Sequence, residues 1–149
     1  MTETDYQYDT LIRLAFATGM RQGELLALKW EDIYDRAIHV CRSTTIASHI
    51  DKDGNRVRER EVWEPKTVNA IRTIPLLPET EELLRDHQAQ QRKYFMAHGF
   101  GRPQYVFTNS RGRIIPTQNL QSSFARLLKA QAYRIRNSTP YGIHSQPRL

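Results

Sequence analysis

The first residues that could do chemistry are a cation and an acid at the start of a predicted helix. Arg21 directly follows a turn formed by Thr18-Gly19-Met20, and Glu24 lies three residues further on. A spacing of three places both side chains on the same side of a helix. The planar guanidinium of an arginine stays charged and can donate two hydrogen bonds to phosphate oxygens. From type and spacing alone, Arg21 is interpreted as a surface arginine and its relation to Glu24 as a plain ion pair between residues three apart.

Positive charge is concentrated in the second half of the chain. The 149 residues carry 22 Lys and Arg against 16 Asp and Glu, a formal net charge of +6. Asp86 is the last acid, so residues 87–149 hold ten cations and no acid. This asymmetry indicates a surface for a polyanion such as nucleic acid, and a solvated basic face is an equal alternative. The candidate phosphate contacts in this half are Arg111, Arg113, Arg126, Lys129, Arg134 and Arg136.

The composition excludes several classes of protein. Cys41 is the single cysteine, which rules out a disulfide within the chain and a zinc site made only of cysteines. The histidines at 39, 49, 87 and 98 lack the spacing of metal ligands, so they are interpreted as structural or surface residues. No apolar run could span a membrane, and the polar, acidic N-terminus lacks the features of a signal peptide. We therefore expect a cytoplasmic protein without a metal site.

The apolar pattern predicts four helices, at residues 8–17, from about 21 to 30, at 78–98 and from 117 onward. Gly19 ends the first helix, because glycine tolerates the left-handed conformation of a helix C-terminus. In the last helix one face carries Leu120, Phe124, Leu127 and Leu128.

Alternating apolar residues predict three strands, at residues 37–46, 57–63 and 71–77. The turn residues 51–55 join the first two, and a short connection joins the last two. Because successive strands with short links pair side by side, an antiparallel meander is expected. The predicted class is α+β, mainly helical, with a small antiparallel three-stranded sheet.

Two stretches of the chain resemble the tyrosine recombinases, the family of the phage-type integrases. Residues 18–25 read Thr-Gly-Met-Arg-Gln-Gly-Glu-Leu and residues 28–33 read Leu-Lys-Trp-Glu-Asp-Ile. Together they resemble the first catalytic box of this family. Pro65-Lys66-Thr67 and Arg72-Thr73-Ile74-Pro75-Leu76 resemble its strand–turn–strand segment. The resemblance covers nearly the whole chain up to Pro140, in the order of the family.

The resemblance implies site-specific DNA recombination, in which a tyrosine attacks a phosphodiester and forms a 3′-phosphotyrosyl link without metal or other cofactor. Arg21 would neutralise the phosphate in the transition state, and Lys66 would protonate the leaving 5′ oxygen. Glu24 would help to hold the active-site arginine. Arg72 would contact the DNA backbone or acidic side chains. The implied partners are double-stranded DNA and other recombinase protomers, with no membrane or small-molecule substrate.

The resemblance fails at the second catalytic box of the family. After Thr139-Pro140, Tyr141 occupies the position of the usual histidine and His144 that of the second arginine. The chain also has no tyrosine in the nucleophile motif of the family. These departures predict that the chain as it stands does not cleave DNA. They also predict that residues 1–149 form a single, incomplete catalytic domain with a divergent tail at 141–149.

Three interpretations of these departures stay open. The chain could be a fragment or degraded copy of an integrase. It could instead be a non-enzymatic DNA-binding module that competes with a full-length integrase. It could also be an unstable relic with an exposed apolar patch, prone to aggregate or to form dimers.

Overall fold

The computed structural model describes the backbone of residues 3–64 and 71–138. It describes the side chains in these ranges except at residues 3–6, 127 and 130–138. Lys66, Tyr141 and His144 therefore lie outside the described residues, as do the side chains of Arg134 and Arg136.

Helices form most of the described chain. They are α1 (Glu3–Thr18), α2 (Gln22–Ala27), a 3-10 turn (Trp30–Asp32), α3 (Pro78–Ala97) and α4 (Thr117–Ser138). The predicted second helix is shorter than expected, because the chain turns extended at Leu28 and Lys29 before the 3-10 turn. No helix in the described ranges is both long and apolar enough to cross a membrane.

The strands are β1 (Ile33–Tyr34), β2 (Ala37–Val40), β3 (Ser43–Ile50), β4 (Arg56–Trp63) and β5 (Arg72–Pro75). In the described ranges they form one antiparallel sheet of three strands, in the order β1-β2-β5, and a separate antiparallel hairpin of β3 and β4. The class α+β with small antiparallel sheets is thus confirmed.

The arrangement of the strands differs from the single meander that the sequence predicts. The predicted strand 37–46 is divided at Cys41 and Arg42, where the chain changes partners. Val40 pairs with Arg72 in the three-stranded sheet, whereas Ser43 pairs with Trp63 in the hairpin. The hairpin is therefore separate from the three-stranded sheet, in which β5 pairs with β2.

The hydrophobic core lies between α1, α2, β2 and the segment that follows α3. Leu14, Leu26, Ile38 and Phe107 are its largest fully buried side chains. Burial of each such side chain contributes about 1.5–3 kcal/mol to the free energy of folding. This core holds the first turn of α2 in a fixed place.

Gly23 allows the hairpin to pack closely against α2. A Cβ atom at this position would lie 2.6 Å from both Ser43 Oγ and the carbonyl oxygen of Thr44. Both distances are shorter than any normal van der Waals contact, so only glycine fits without a shift of β3. The base of the hairpin is thereby placed next to the residues Arg21 and Glu24.

Candidate active site

Arg21 lies at the N-terminal end of α2, where the chain has reversed direction after α1. Gly19 adopts a φ of 66°, and its N–H donates to the carbonyl of Ala15 over 2.9 Å, which ends α1. This left-handed conformation is one that glycine adopts without strain. Arg21 is exposed, and its guanidinium forms no ion pair with any residue of the described ranges. It is therefore available to an anion.

Glu24 is buried one turn into α2 and accepts hydrogen bonds from two parts of the chain. Its Oε2 accepts the backbone N–H of Arg21 over 2.8 Å, as in one half of a capping box. Its two carboxylate oxygens accept both terminal nitrogens of Arg72, over 2.7 and 2.8 Å. Glu24 thus joins the start of α2 to β5.

The contacts of Glu24 also fix its charge. The hydrogen bonds from Arg72 lower the pKa of Glu24 below its ordinary value, with the backbone N–H of Arg21 acting in the same direction and burial opposing both. The same pair raises the pKa of Arg72. Both groups are therefore charged at neutral pH, as a bidentate ion pair.

This arrangement specifies the two roles that the sequence left open. The side chain of Glu24 does not pair with the guanidinium of Arg21; it holds the backbone of Arg21 and pairs with Arg72 instead. Of the two contacts expected for Arg72, the structure places its guanidinium on an acidic side chain. Direct contact between Arg72 and DNA stays a prediction, and the side chain is 46% exposed.

A second cluster of charges, which sequence reasoning missed, surrounds Arg42. Its three guanidinium nitrogens contact three different carboxylates: Nη1 contacts Asp32, Nη2 contacts Glu31 over 2.9 Å, and Nε contacts Glu64 over 2.9 Å. Burial alone would lower the pKa of Arg42, but the hydrogen bonds to Asp32 and Glu64 outweigh it and raise the pKa. We refer to these four residues as the Arg42 cluster.

Asp32 is the buried member of the Arg42 cluster. Its Oδ2 accepts the backbone N–H of Lys29 over 3.0 Å, and its Oδ1 accepts the Cys41 thiol over 3.3 Å. Burial, followed by the contact with Asp32, raises the pKa of Cys41 to about 11, so the thiol stays protonated. The sequence signal was weak, because Arg42 lies in a strand connection ten residues from Asp32 with no recognisable spacing.

The histidines at 39, 49, 87 and 98 lie in different surroundings. His87 is buried, and its Nε2 donates to the carbonyl of Val106 over 2.6 Å. Burial lowers the pKa of His87, with that hydrogen bond opposing, so the ring is neutral at pH 7. His39 stacks on Tyr34 with ring centroids 3.8 Å apart. His49 and His98 are exposed.

The candidate DNA contacts lie outside this site in the described structure. Arg111 and Arg113 are exposed on a tight turn, in which Asn109 Oδ1 accepts the backbone N–H groups of both. Arg126 and Lys129 are exposed on α4, and the backbone of Arg134 and Arg136 lies further along the same helix. The structure therefore brings together Arg21, Glu24 and Arg72. Lys66, Tyr141 and His144 fall outside the described residues.

Comparison with known proteins identifies relatives over most of the chain. Residues 1–144 match the phage integrase family. A curated relative, a tyrosine recombinase XerC-like protein of Caldanaerobacter subterraneus subsp. tengcongensis, is 35% identical over 130 residues. The alignment covers 83% of this chain and 33% of the relative, so the chain spans about a third of the relative's length.

Solved structures with the same fold are also known. The Tn1549 transposon integrase in complex with transposon right end DNA matches with a TM-score of 0.63 and 20% identity, over 95% of this chain and 42% of that one. The same integrase in complex with a circular intermediate DNA matches with a TM-score of 0.59 and 22% identity, over 85% and 37%. At these identities the likeness establishes the fold. Together with the match over residues 1–144, it places the chain in the phage integrase family, with the fold of a tyrosine recombinase catalytic domain.

Proposed function

We propose that this chain is part of an enzyme of site-specific DNA recombination, which breaks and rejoins DNA strands through a phosphotyrosyl intermediate. One observation carries the proposal. The exposed guanidinium of Arg21 is attached to a backbone that the buried Glu24 fixes to Arg72. A fixed backbone at Arg21 suits a guanidinium that has to bind phosphate in one geometry, because a charge that is already in place needs no reorganisation during the reaction. Residues 1–149 belong to one domain in this proposal.

Each residue of the site has a distinct task in the proposed reaction. Arg21 donates to the non-bridging oxygens of the scissile phosphate and stabilises the negative charge that develops there. Glu24 and Arg72 position Arg21 through its backbone. Lys66 transfers a proton to the 5′ oxygen as the phosphodiester bond breaks. The partner is double-stranded DNA, and the setting is the cytoplasm.

The role of Arg21 is tested by measuring its effect on binding to a short fluorescein-labelled DNA duplex, with fluorescence anisotropy as the readout. Arg21→Ala should weaken binding. It should also make the slope of log K against log salt concentration shallower by about 0.9, the value for one lost phosphate contact. Arg13→Ala is the matched control, because Arg13 is an exposed cation on α1 that already pairs with Asp9. Equal binding by the wild type and both variants would contradict the proposed role of Arg21.

The covalent step is tested with a nicked suicide duplex and a denaturing gel. We expect no covalent protein–DNA band, because Tyr141 and His144 replace the usual residues of the second box and no tyrosine matches the nucleophile motif. A band that disappears in Tyr141→Phe would show that Tyr141 is a nucleophile that cleaves DNA and that our assignment of Tyr141 is wrong.

A second candidate function is a non-enzymatic DNA-binding module that competes with a full-length integrase. The exposed cations Arg111, Arg113 and Lys129 favour it, since contacts with phosphate supply affinity without sequence preference. Duplex binding that falls steeply with salt, without a covalent product, would support this function. A flat salt dependence would contradict it.

A further inference from the structure

The hairpin of β3 and β4 has two faces of opposite charge. Residues that pair across an antiparallel ladder project to the same side, and alternate residues along a strand share that side. Arg56 pairs with Ile50, Arg58 with Ser48 and Arg60 with Ile46, so one face carries three arginines. Glu59 and Glu61 occupy the opposite face. We call the first of these the arginine face.

Arg60 differs from the other two arginines of this face. Arg56 and Arg58 are exposed, whereas Arg60 is half-buried. Its Nη1 donates to the carbonyl of Ile115 over 2.9 Å, and its Nη2 donates to the hydroxyl of Thr117. The two contacts join the middle of the hairpin to the start of α4, across 55 and 57 residues of sequence.

The position of Arg60 is electrostatically unfavourable by itself. Within the described ranges its guanidinium has no carboxylate partner, and burial lowers the pKa of Arg60. The guanidinium of Arg60 also contacts Thr117, the first residue of α4, where the helix dipole presents partial positive charge. In the described part of the chain, the oxygens that accept from this guanidinium are the neutral ones of Ile115 and Thr117, which argues for a role in holding the hairpin at a set angle.

The angle of the hairpin matters because it sets where the arginine face lies relative to the segment that carries Arg113. Ile115, which accepts the hydrogen bond from Arg60, lies two residues after the exposed Arg113. The base of the hairpin is already fixed by the close packing of Gly23 against β3. A second contact at Arg60, midway along β4, removes the freedom that a single point of attachment leaves to a two-stranded hairpin.

We infer that Arg60 is a positioning residue: it holds the hairpin against α4, so that Arg56 and Arg58 reach the same DNA backbone as Arg113. The inference rests on the proposed binding of duplex DNA. It assigns a role to Arg60 that differs from a phosphate contact, because the guanidinium is already engaged by Ile115 and Thr117.

The mechanical part of the inference is tested by residual dipolar couplings of backbone amides, which report the orientation of the hairpin relative to α4. Thr117→Val removes the acceptor hydroxyl at nearly constant volume. Arg60→Met removes both contacts. In both variants we expect smaller couplings in residues 45–61 and unchanged couplings in α3. Thr45→Val is the matched control, since Thr45 is an exposed threonine on the opposite face of the same hairpin. Unchanged couplings in Arg60→Met would overturn the inference.

The DNA part is tested by duplex binding over a range of salt concentrations. Thr117→Val removes no charge, so a direct phosphate contact by Arg60 would leave its binding intact. If Arg60 is a positioning residue, Thr117→Val should bind the duplex roughly three- to tenfold more weakly. The slope of log K against log salt concentration should become shallower by up to about 2, because Arg56 and Arg58 lose their phosphate contacts. Thr45→Val should bind like the wild type.

The possible results separate the inference from the proposed function. Loss of about one phosphate contact in Arg60→Met, with wild-type binding in Thr117→Val, would make Arg60 an ordinary phosphate contact and overturn the inference. Absence of duplex binding by the wild-type chain would overturn the proposed function and, with it, the DNA part of the inference. The dipolar couplings would then decide the mechanical part alone.

Discussion

The Glu24 site and the Arg42 cluster both combine carboxylates with a guanidinium, but they distribute charge in opposite ways. In the Glu24 site one buried acid accepts a bidentate pair of hydrogen bonds from Arg72 and a third from a backbone N–H. In the Arg42 cluster one arginine, whose side chain is 15% exposed, forms ion pairs with three acids, and among these three only Asp32 is buried. The first arrangement leaves the guanidinium of Arg21 available, whereas the second uses every nitrogen of its arginine.

The difference teaches which arginines can bind a phosphate. Arg42 is surrounded by more negative than positive charge, so an added anion would be repelled. Arg21 stands next to a carboxylate whose charge is already balanced by Arg72. The guanidinium of Arg21 is available to an anion because the second arginine, Arg72, pairs with the adjacent acid Glu24. Four variants would break or sharpen this comparison.

The largest expected effect is that of Asp32→Ala. It leaves the largely buried Arg42 and the N–H of Lys29 without their buried acceptor, so we expect a loss of about 3 kcal/mol in the free energy of unfolding. Urea denaturation measures it. A loss below about 1 kcal/mol would mean that the exposed Glu31 and Glu64 suffice to hold Arg42.

Glu24→Gln should have the next largest effect, about 2 kcal/mol at neutral pH, because a charge-assisted bidentate contact is lost in a buried place. The pKa of Glu24 is lowered in the folded chain, so its stabilisation is present above the ordinary value of 4.5 and is lost as pH falls through the folded value. The difference in stability between the wild type and Glu24→Gln should therefore shrink on acidification. A difference that is constant with pH would contradict this assignment.

Glu64→Gln should cost less than about 1 kcal/mol. Glu64 is 65% exposed, and exposed ion pairs contribute little because water screens them. Urea denaturation alongside Asp32→Ala tests whether the buried acid of the Arg42 cluster dominates. Equal losses in the two variants would refute that ranking.

The smallest effect on stability is expected for Arg21→Ala, within about 0.5 kcal/mol, because the exposed guanidinium forms no ion pair in the described ranges. The backbone N–H that Glu24 accepts is retained in this variant. Thermal unfolding of the wild type and variant measures the change. A loss as large as that of Glu24→Gln would show that the side chain of Arg21 belongs to the scaffold.

Sequence patterns predicted the helices better than the strand pairing. α3 and α4 begin at the predicted residues 78 and 117, since helical hydrogen bonds connect residues four apart and need no distant partner. The apolar face predicted for α4 is buried at Leu120, whereas Phe124 and Leu128 are exposed. The exchange of partners at Cys41 and Arg42 was not predicted. Both halves of the predicted strand 37–46 are extended, and alternation cannot tell which strand each half will meet.

The candidate site shows the same division. The resemblance to a family of known chemistry singled out Arg21, Glu24 and Arg72. It did not show that Arg72, 48 residues away in sequence, supplies the guanidinium for Glu24. Arg42 and Arg60 carried no local pattern at all, because their acceptors lie in other elements. Their roles follow only from contacts made across the fold.

The sequence by itself determined the family, the order of the helices, the turn at Gly19 and the uneven charge of the chain. These depend on residue types and on spacings within a few turns. The tertiary structure alone decided which acid meets which arginine, and therefore which guanidinium stays available to an anion. The physical reason is that a buried charge requires a partner, and the fold, through the pairing of β5 with β2 and the close packing at Gly23, brings that partner within reach.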